Sequence, residues 1–198
     1  MDFQKLLQKK EAYLRIKDTL PEITVKSYEK AFELANTHHS TAIEGNTLTL
    51  LETKVVIEEG LSVGGKKLRE LYEVINHHKA YQFIKSCISK GIELDETIIK
   101  EIRAMLMENI MIGGIYRNVG VYYDDMALKK NVNAIELAAW THQLMTHGFL
   151  PITIKKESRL EYFDALEAYA VNGVIQPFAE MIAALEEEQL DIYFGMLV

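Results

Sequence analysis

The chain is poor in the residues that cross-link, interrupt or export a fold. It has one cysteine among 198 residues, so no disulfide framework can form within it, and a reducing compartment fits. Three prolines and 11 glycines leave little material for long flexible linkers. No stretch approaches the roughly 20 consecutive apolar residues of a transmembrane helix. The opening "MDFQKLLQKKEAYLRIK" is charged throughout and lacks the apolar core of a signal peptide. Positive charge is also short: a net charge of −7 argues against a nonspecific nucleic-acid surface. These absences predict a cytoplasmic protein with neither a membrane segment nor a nucleic-acid partner. Metal and hydrolase signatures are missing too. The histidines at 38–39, 77–78, 142 and 147 diverge on a helix, and no H-E-x-x-H, G-x-S-x-G or phosphate-loop pattern occurs.

What is present is helical rhythm over a real core, with 48% hydrophobic and 26% charged residues. Apolar residues recur at three and four from Phe3 to Ile16, predicting a first helix. A second helix is expected from about Glu22 to the Gly45-Asn46 pair, with Thr19 and Glu22 as its capping box and Pro21 in its first turn. Thr49 and Glu52 make another capping box, for a helix running to Glu59. Gly64-Gly65-Lys66 reads as a turn. A long amphipathic helix ends at Gly91, Asp95 caps the next, and Ser158 with Glu161 caps one further on. "IGGIYRNVGVYY" reads as a loop leading into a short strand, and "FLPITI" as an extended segment. The prediction is an all-α protein. Cys87 reads as a small buried hydrophobe, Met105, Met107 and Met111 as core, and the carboxylates of "LEEEQL" as a solvated helix face.

Two places invite a functional reading. Arg117 is the one charge in a glycine-rich apolar loop, which suits an anion- or target-binding residue or else a surface or capping one. Ser40 and Glu44 lie four apart at a helix C-terminus. A carboxylate there opposes the helix dipole, so Glu44 is either a tolerated surface residue or one held for a cationic partner.

The string "STAIEGNTLT" resembles the inhibitory motif of Fic proteins, (S or T)-x-x-x-E-(G or N). Ser40, Glu44 and Gly45 match it, and Asn46 extends the likeness. Further segments resemble the family in the same order: "LYEVINHHKAYQFI" with Asn76, "GIYRNVGVY" with Arg117, "IELAAWTH", and a stretch from "LMTHGFLP" to "PFAEMI". The resemblance covers most of residues 36–183. It implies an N-terminal helical extension over 1–35 and a Fic-like helical domain over 36–198, with an inhibitory helix at about 36–45 and at most a small β-hairpin flap. It further implies a protein adenylyltransferase using ATP and Mg2+ to place AMP on a Ser, Thr or Tyr hydroxyl of an unknown target protein. Glu44 would pair with an arginine of the catalytic motif and take the space of the ATP γ-phosphate. The apolar helices also permit a homo-oligomer.

The family's catalytic motif, H-P-F-x-(D or E)-G-N-G-R-x-x-R, does not occur in this sequence, so the catalytic residues are unknown. By resemblance it belongs between Gln143 and Leu144, and the flap belongs after Tyr122-Tyr123. Glu44-Gly45-Asn46 imitates its centre but lacks both the H-P-F before and the Gly-Arg after. Two explanations stand at this point. Either the fold has lost its motif and serves as a non-catalytic interaction or regulatory module, or the 198 residues omit loops of a longer enzyme.

Overall fold

The structure is a computed structural model that describes residues 3–110 and 140–197. Among these residues the chain is helical and forms no strand. In order come α1 (Gln4–Ile16), α2 (Glu22–Ile43), α3 (Leu50–Lys54), α4 (Leu68–Ser89) and α5 (Glu96–Leu106). After them come α6, described over 140–146, then α7 (Arg159–Asn172) and α8 (Gln176–Gly195). Arg117, Met111 and the expected loop-to-strand segment lie outside the described residues.

Local chemistry explains most of the boundaries. Thr49 accepts the Glu52 N–H at 3.2 Å while the Glu52 carboxylate accepts the Thr49 N–H at 2.7 Å, the reciprocal pair read from sequence. That helix does reach Glu59, but its last turn (Val55–Glu59) widens to π geometry before left-handed Gly60. Asp95 accepts the Ile98 N–H at 2.8 Å and starts α5. Two other expected caps are not made. The Thr19 hydroxyl donates backwards to the Ile16 carbonyl at 2.6 Å, closing α1 instead of opening α2, which begins behind Pro21. Ser158 makes no side-chain cap because a tight 3-10 turn (Lys156–Ser158) leads straight into α7. The position proposed as an extension boundary, residue 35, falls inside α2.

Helix packing builds the core in four clusters. Ile43 at the end of α2 meets Ile154, Tyr162 and Phe178, joining α2 to α7 and α8. Ala80 and Ile84 of α4 pack on Ile102 and Leu106 of α5, with Met107 buried beside them and Met105 against the edge. Leu6 of α1 packs on Leu190 and Tyr193 of α8. Leu48, Val56, Leu71 and Val74 hold α3 to α4. Cys87 is buried, and burial pushes its thiol pKa up, as a structural cysteine requires.

The "LEEEQL" face departs from expectation. Glu187 meets Lys5 at 2.5 Å and Glu188 meets Lys155 at 2.7 Å, both at the surface. Glu186, however, is only 1% exposed. It points the other way because residues one apart on a helix diverge by about 100°, and its Oε1 accepts the Leu150 N–H at 2.8 Å. Burial lifts its pKa from 4.5 to about 8, against smaller lowering effects from the Leu150 N–H and Lys10.

The folded state therefore holds a proton on Glu186 that the unfolded chain releases near pH 4.5. This contribution to stability is full below that pH and is lost as pH rises through about 8. His38, His39 and His77, whose pKa values burial lowers, act in the opposite direction. Glu186→Gln keeps the acceptor for Leu150 and removes the titration. In urea unfolding at pH 5 and pH 9, the variant should gain on the order of 3 kcal/mol relative to wild type between the two. The histidines are common to both proteins and drop out of the difference.

Candidate functional site

The end of α2 is built as a Schellman terminus. The Gly45 N–H donates to Ala42 O at 3.0 Å and the Asn46 N–H reaches back to Thr41 O at 3.1 Å. Gly45 takes φ +99°, a left-handed angle that a side chain would strain, although the space around it is open. Glu44 is the cap residue itself, half-buried at φ −80° and ψ −3°. The helix stop expected at the Gly45-Asn46 pair is thus made by a left-handed glycine.

Asn46 does something the sequence did not suggest. Its φ is not positive; its side chain is a buried strut between α2 and α4. Nδ2 donates to Glu70 O at 2.9 Å and to a Glu73 carboxylate oxygen at 3.0 Å, while Oδ1 accepts the Leu48 N–H at 3.0 Å. Thr47 extends the clamp, donating to Glu70 Oε1 from both its N–H (2.9 Å) and its hydroxyl (2.7 Å). These Thr47 bonds, with the Lys67 N–H, hold the Glu70 pKa down to about 2. Lys66 closes the network on Thr47 O at 2.7 Å and Glu52 at 3.2 Å, which gives the Gly64-Gly65 turn its task.

One turn earlier, Ser40 is buried and its hydroxyl meets Asn36 Oδ1 at 3.5 Å, an oxygen that also accepts from Thr153 at 3.1 Å. Asn36, one turn before Ser40, thus ties α2 to the extended segment before α7. On the adjoining face, Thr37 Oγ1 lies 3.3 Å from His77 Nδ1, and burial lowers the His77 pKa to about 4, so the ring is neutral at pH 7. Asn76 donates to Leu106 O and Glu108 O, at 3.2 and 2.7 Å, closing the C-terminal end of α5. His78 meets the Glu33 carboxylate at 3.0 Å, and His142 Nε2 lies 2.8 Å from Ile92 O.

Among the described residues, no group of three or more His, Cys, Asp or Glu side chains could hold a metal ion. The cations of the α2 network, Lys66 and Arg69, are engaged by the carboxylates of Glu52 and Glu73.

No family model matches the chain. Individual relatives do. Over 96% of the chain it is 26% identical to a protein adenylyltransferase Fic from Aedes aegypti. A protein of the same name from Nematostella vectensis is 28% identical over 80% of the chain. The fold superposes on the C. elegans Fic-1 structure with a TM-score of 0.83, covering 98% of this chain and 70% of that one at 22% identity. A Fic domain containing signaling protein from Bacteroides thetaiotaomicron gives 0.77 over 96% and 94%, at 18% identity. In sequence and in fold the chain is similar to Fic domain proteins.

It spans about half the length of these curated relatives, 47% and 48%. The Aedes alignment runs over 238 residues, whereas 96% of 198 is about 190, so about 48 aligned positions hold no residue of this chain. The Nematostella alignment, 205 against about 158, leaves about 47. No helix among the described residues is long and apolar enough to cross a membrane.

The clamp predicts a ranking of two substitutions. Asn46→Ala removes three hydrogen bonds and strands the Leu48 N–H, a loss of about 2–3 kcal/mol. Gly45→Ala meets no neighbour and pays only the left-handed strain, about 1 kcal/mol. Chemical denaturation of both variants should place Asn46→Ala clearly lower; the reverse order would remove Asn46 from its place as the strut.

Proposed function

We propose that the chain is the scaffold and regulatory helix of a Fic-type adenylyltransferase, one that moves AMP from ATP, with Mg2+, to a hydroxyl of a target protein. Glu44 is its brake. The observation that carries this reading is the placement of Glu44: it caps a helix whose end is fixed by a glycine turn and an asparagine strut, in a fold shared with proteins named adenylyltransferase. A regulatory carboxylate needs a fixed position, because repulsion depends on distance. Two unit charges about 4 Å apart repel by roughly 4 kcal/mol at an effective dielectric near 20, enough to displace a phosphate from a productive pose.

A specific observation favours a second reading, a non-catalytic Fic module. The H-P-F motif is absent from the sequence, and the relatives carry about 47–48 positions that this chain does not. That shortfall is long enough for a helix with its loops and a hairpin. Moreover, α6 passes from Gln143 to Leu144 without a break, across the place where the motif was expected.

One experiment separates the readings. The full-length protein and its Glu44→Gly variant are incubated with α-labelled ATP, Mg2+ and a protein extract, and transfer of AMP to protein is measured alongside ATP binding and intact mass. Under the leading reading, labelling is near background in wild type and rises at least about tenfold in the variant. Background labelling by both supports the non-catalytic module. Strong, equal labelling by both overturns the brake.

A further inference from the structure

Toward the start of α2, about 22 Å along the helix from Glu44, lies a cavity of about 200 Å³. Aromatic side chains from four helices line it: Tyr13 from α1, Tyr28 and Phe32 from α2, Tyr81 from α4 and Tyr193 from α8. Tyr13 and Tyr28 each stand at 88° to the Tyr193 ring, with centroids 4.9 and 5.7 Å from it. The rings therefore form walls of different orientation rather than a flat stack. The volume is below that of a drug-sized pocket and suits a molecule of a few non-hydrogen atoms. Two of the four tyrosine hydroxyls are used by the fold. Tyr193 donates to Lys17 O at 3.1 Å, and Tyr28 accepts from Gln189 at 2.6 Å. The hydroxyls of Tyr13 and Tyr81 make no hydrogen bond among the described residues, yet neither oxygen is sealed from solvent. A phenol set among rings commonly finds a partner within the protein, so two open ones on one cavity point to a bound group.

We propose that this cavity binds a small organic cation, a primary alkylammonium held by the aromatic rings and by the open hydroxyls of Tyr13 and Tyr81. The electron-rich faces of tyrosine rings attract a cation, and a phenol oxygen accepts its N–H. The alkyl body is taken by Val25, Leu150 and Pro151 of the same lining. Charge selects the sign of the ligand. Glu29 and Asp18, both exposed, bring carboxylates to the cavity. Burial pushes the pKa values of Tyr13, Tyr81 and Tyr193 up, and the Glu29 carboxylate pushes each of them further, so the hydroxyls sit in a negative field. Of the two lysines in the lining, Lys85 is held by Glu29 Oε2 at 2.9 Å and Lys17 gives its carbonyl to Tyr193. The other Glu29 oxygen makes no hydrogen bond among the described residues. The site is separate from the Glu44 clamp and does not depend on any transfer activity.

The probe is n-butylammonium, titrated at pH 7 into the full chain carrying 13C-labelled tyrosine rings, beside 1-butanol and butyrate. Tyrosine resonances are assigned with Tyr13→Phe and Tyr81→Phe. Those of Tyr13 and Tyr81 should shift saturably with butylammonium, which should bind at least about tenfold tighter than the neutral or the anionic analogue. Glu29→Gln, at an exposed position, should weaken butylammonium by about fivefold, and Tyr81→Phe, which removes an acceptor, by a similar factor. Circular dichroism establishes that each variant is folded, and the comparison of the three probes on the wild type stands as a test should any of them unfold. No saturable shift in the wild type, equal affinity for butanol or butyrate, or unaltered binding by folded Glu29→Gln overturns the proposal.

Discussion

The position of the α2 terminus depends on one side-chain amide. Asn46 reaches from the residue after the helix turn to the backbone and a carboxylate of α4, and bonds its own loop with the remaining oxygen. Without it, Gly45 would still turn the chain, but the turn would lose its buried attachment to α4. The Schellman bonds set the direction in which the chain leaves α2, and the amide sets where that exit lies against the bundle. Glu44 inherits both constraints without making either. Thr47, Lys66 and Glu70 then add charge-assisted bonds around the strut, so a surface loop acquires the rigidity of a packed element.

The middle of α2 is anchored differently. Ser40 and Thr37 do not point at solvent, as hydroxyl residues on a helix commonly do. They sit inside, on Asn36 and His77 respectively. A polar seam of this kind costs desolvation unless its members find partners, and in return it fixes rotation about the helix axis more sharply than leucines would. Ile43, fully buried with Tyr162 and Phe178, finishes the registration.

Much of this was legible in the sequence, because it is local. The 3.6-residue period placed the helices, Thr49-Glu52 and Asp95 gave their own starts, and Gly45 announced a left-handed stop. The failures are equally physical. Thr19 and Ser158 carry capping side chains, but a hydroxyl can bond backwards or be pre-empted by a 3-10 turn, and spacing alone does not choose. Asn46 looked like a turn residue because its partners, at Glu70 and Glu73, are more than twenty positions away. Glu186 was hidden in a run of three glutamates whose composition says surface. Only the phase of α8 against Leu150 turns one of them inward. The family likeness came from collinear short strings, which are sensitive to order and blind to hydrogen bonds.

The pairing of α1 with α8 has a consequence for how the chain acquires its fold. Lys5 meets Glu187, Lys9 meets Asp191 at 2.6 Å, and the Tyr13 and Tyr193 rings stack edge to face at 4.9 Å. Of this pair, α1 is made before α8 and waits for it. Local hairpins such as α4 with α5 can condense during synthesis, whereas the seat of α1 does not exist until α8 has emerged. Through that interval Leu6, Tyr13 and Ile16 are uncovered, and the late docking step has a long loop to close.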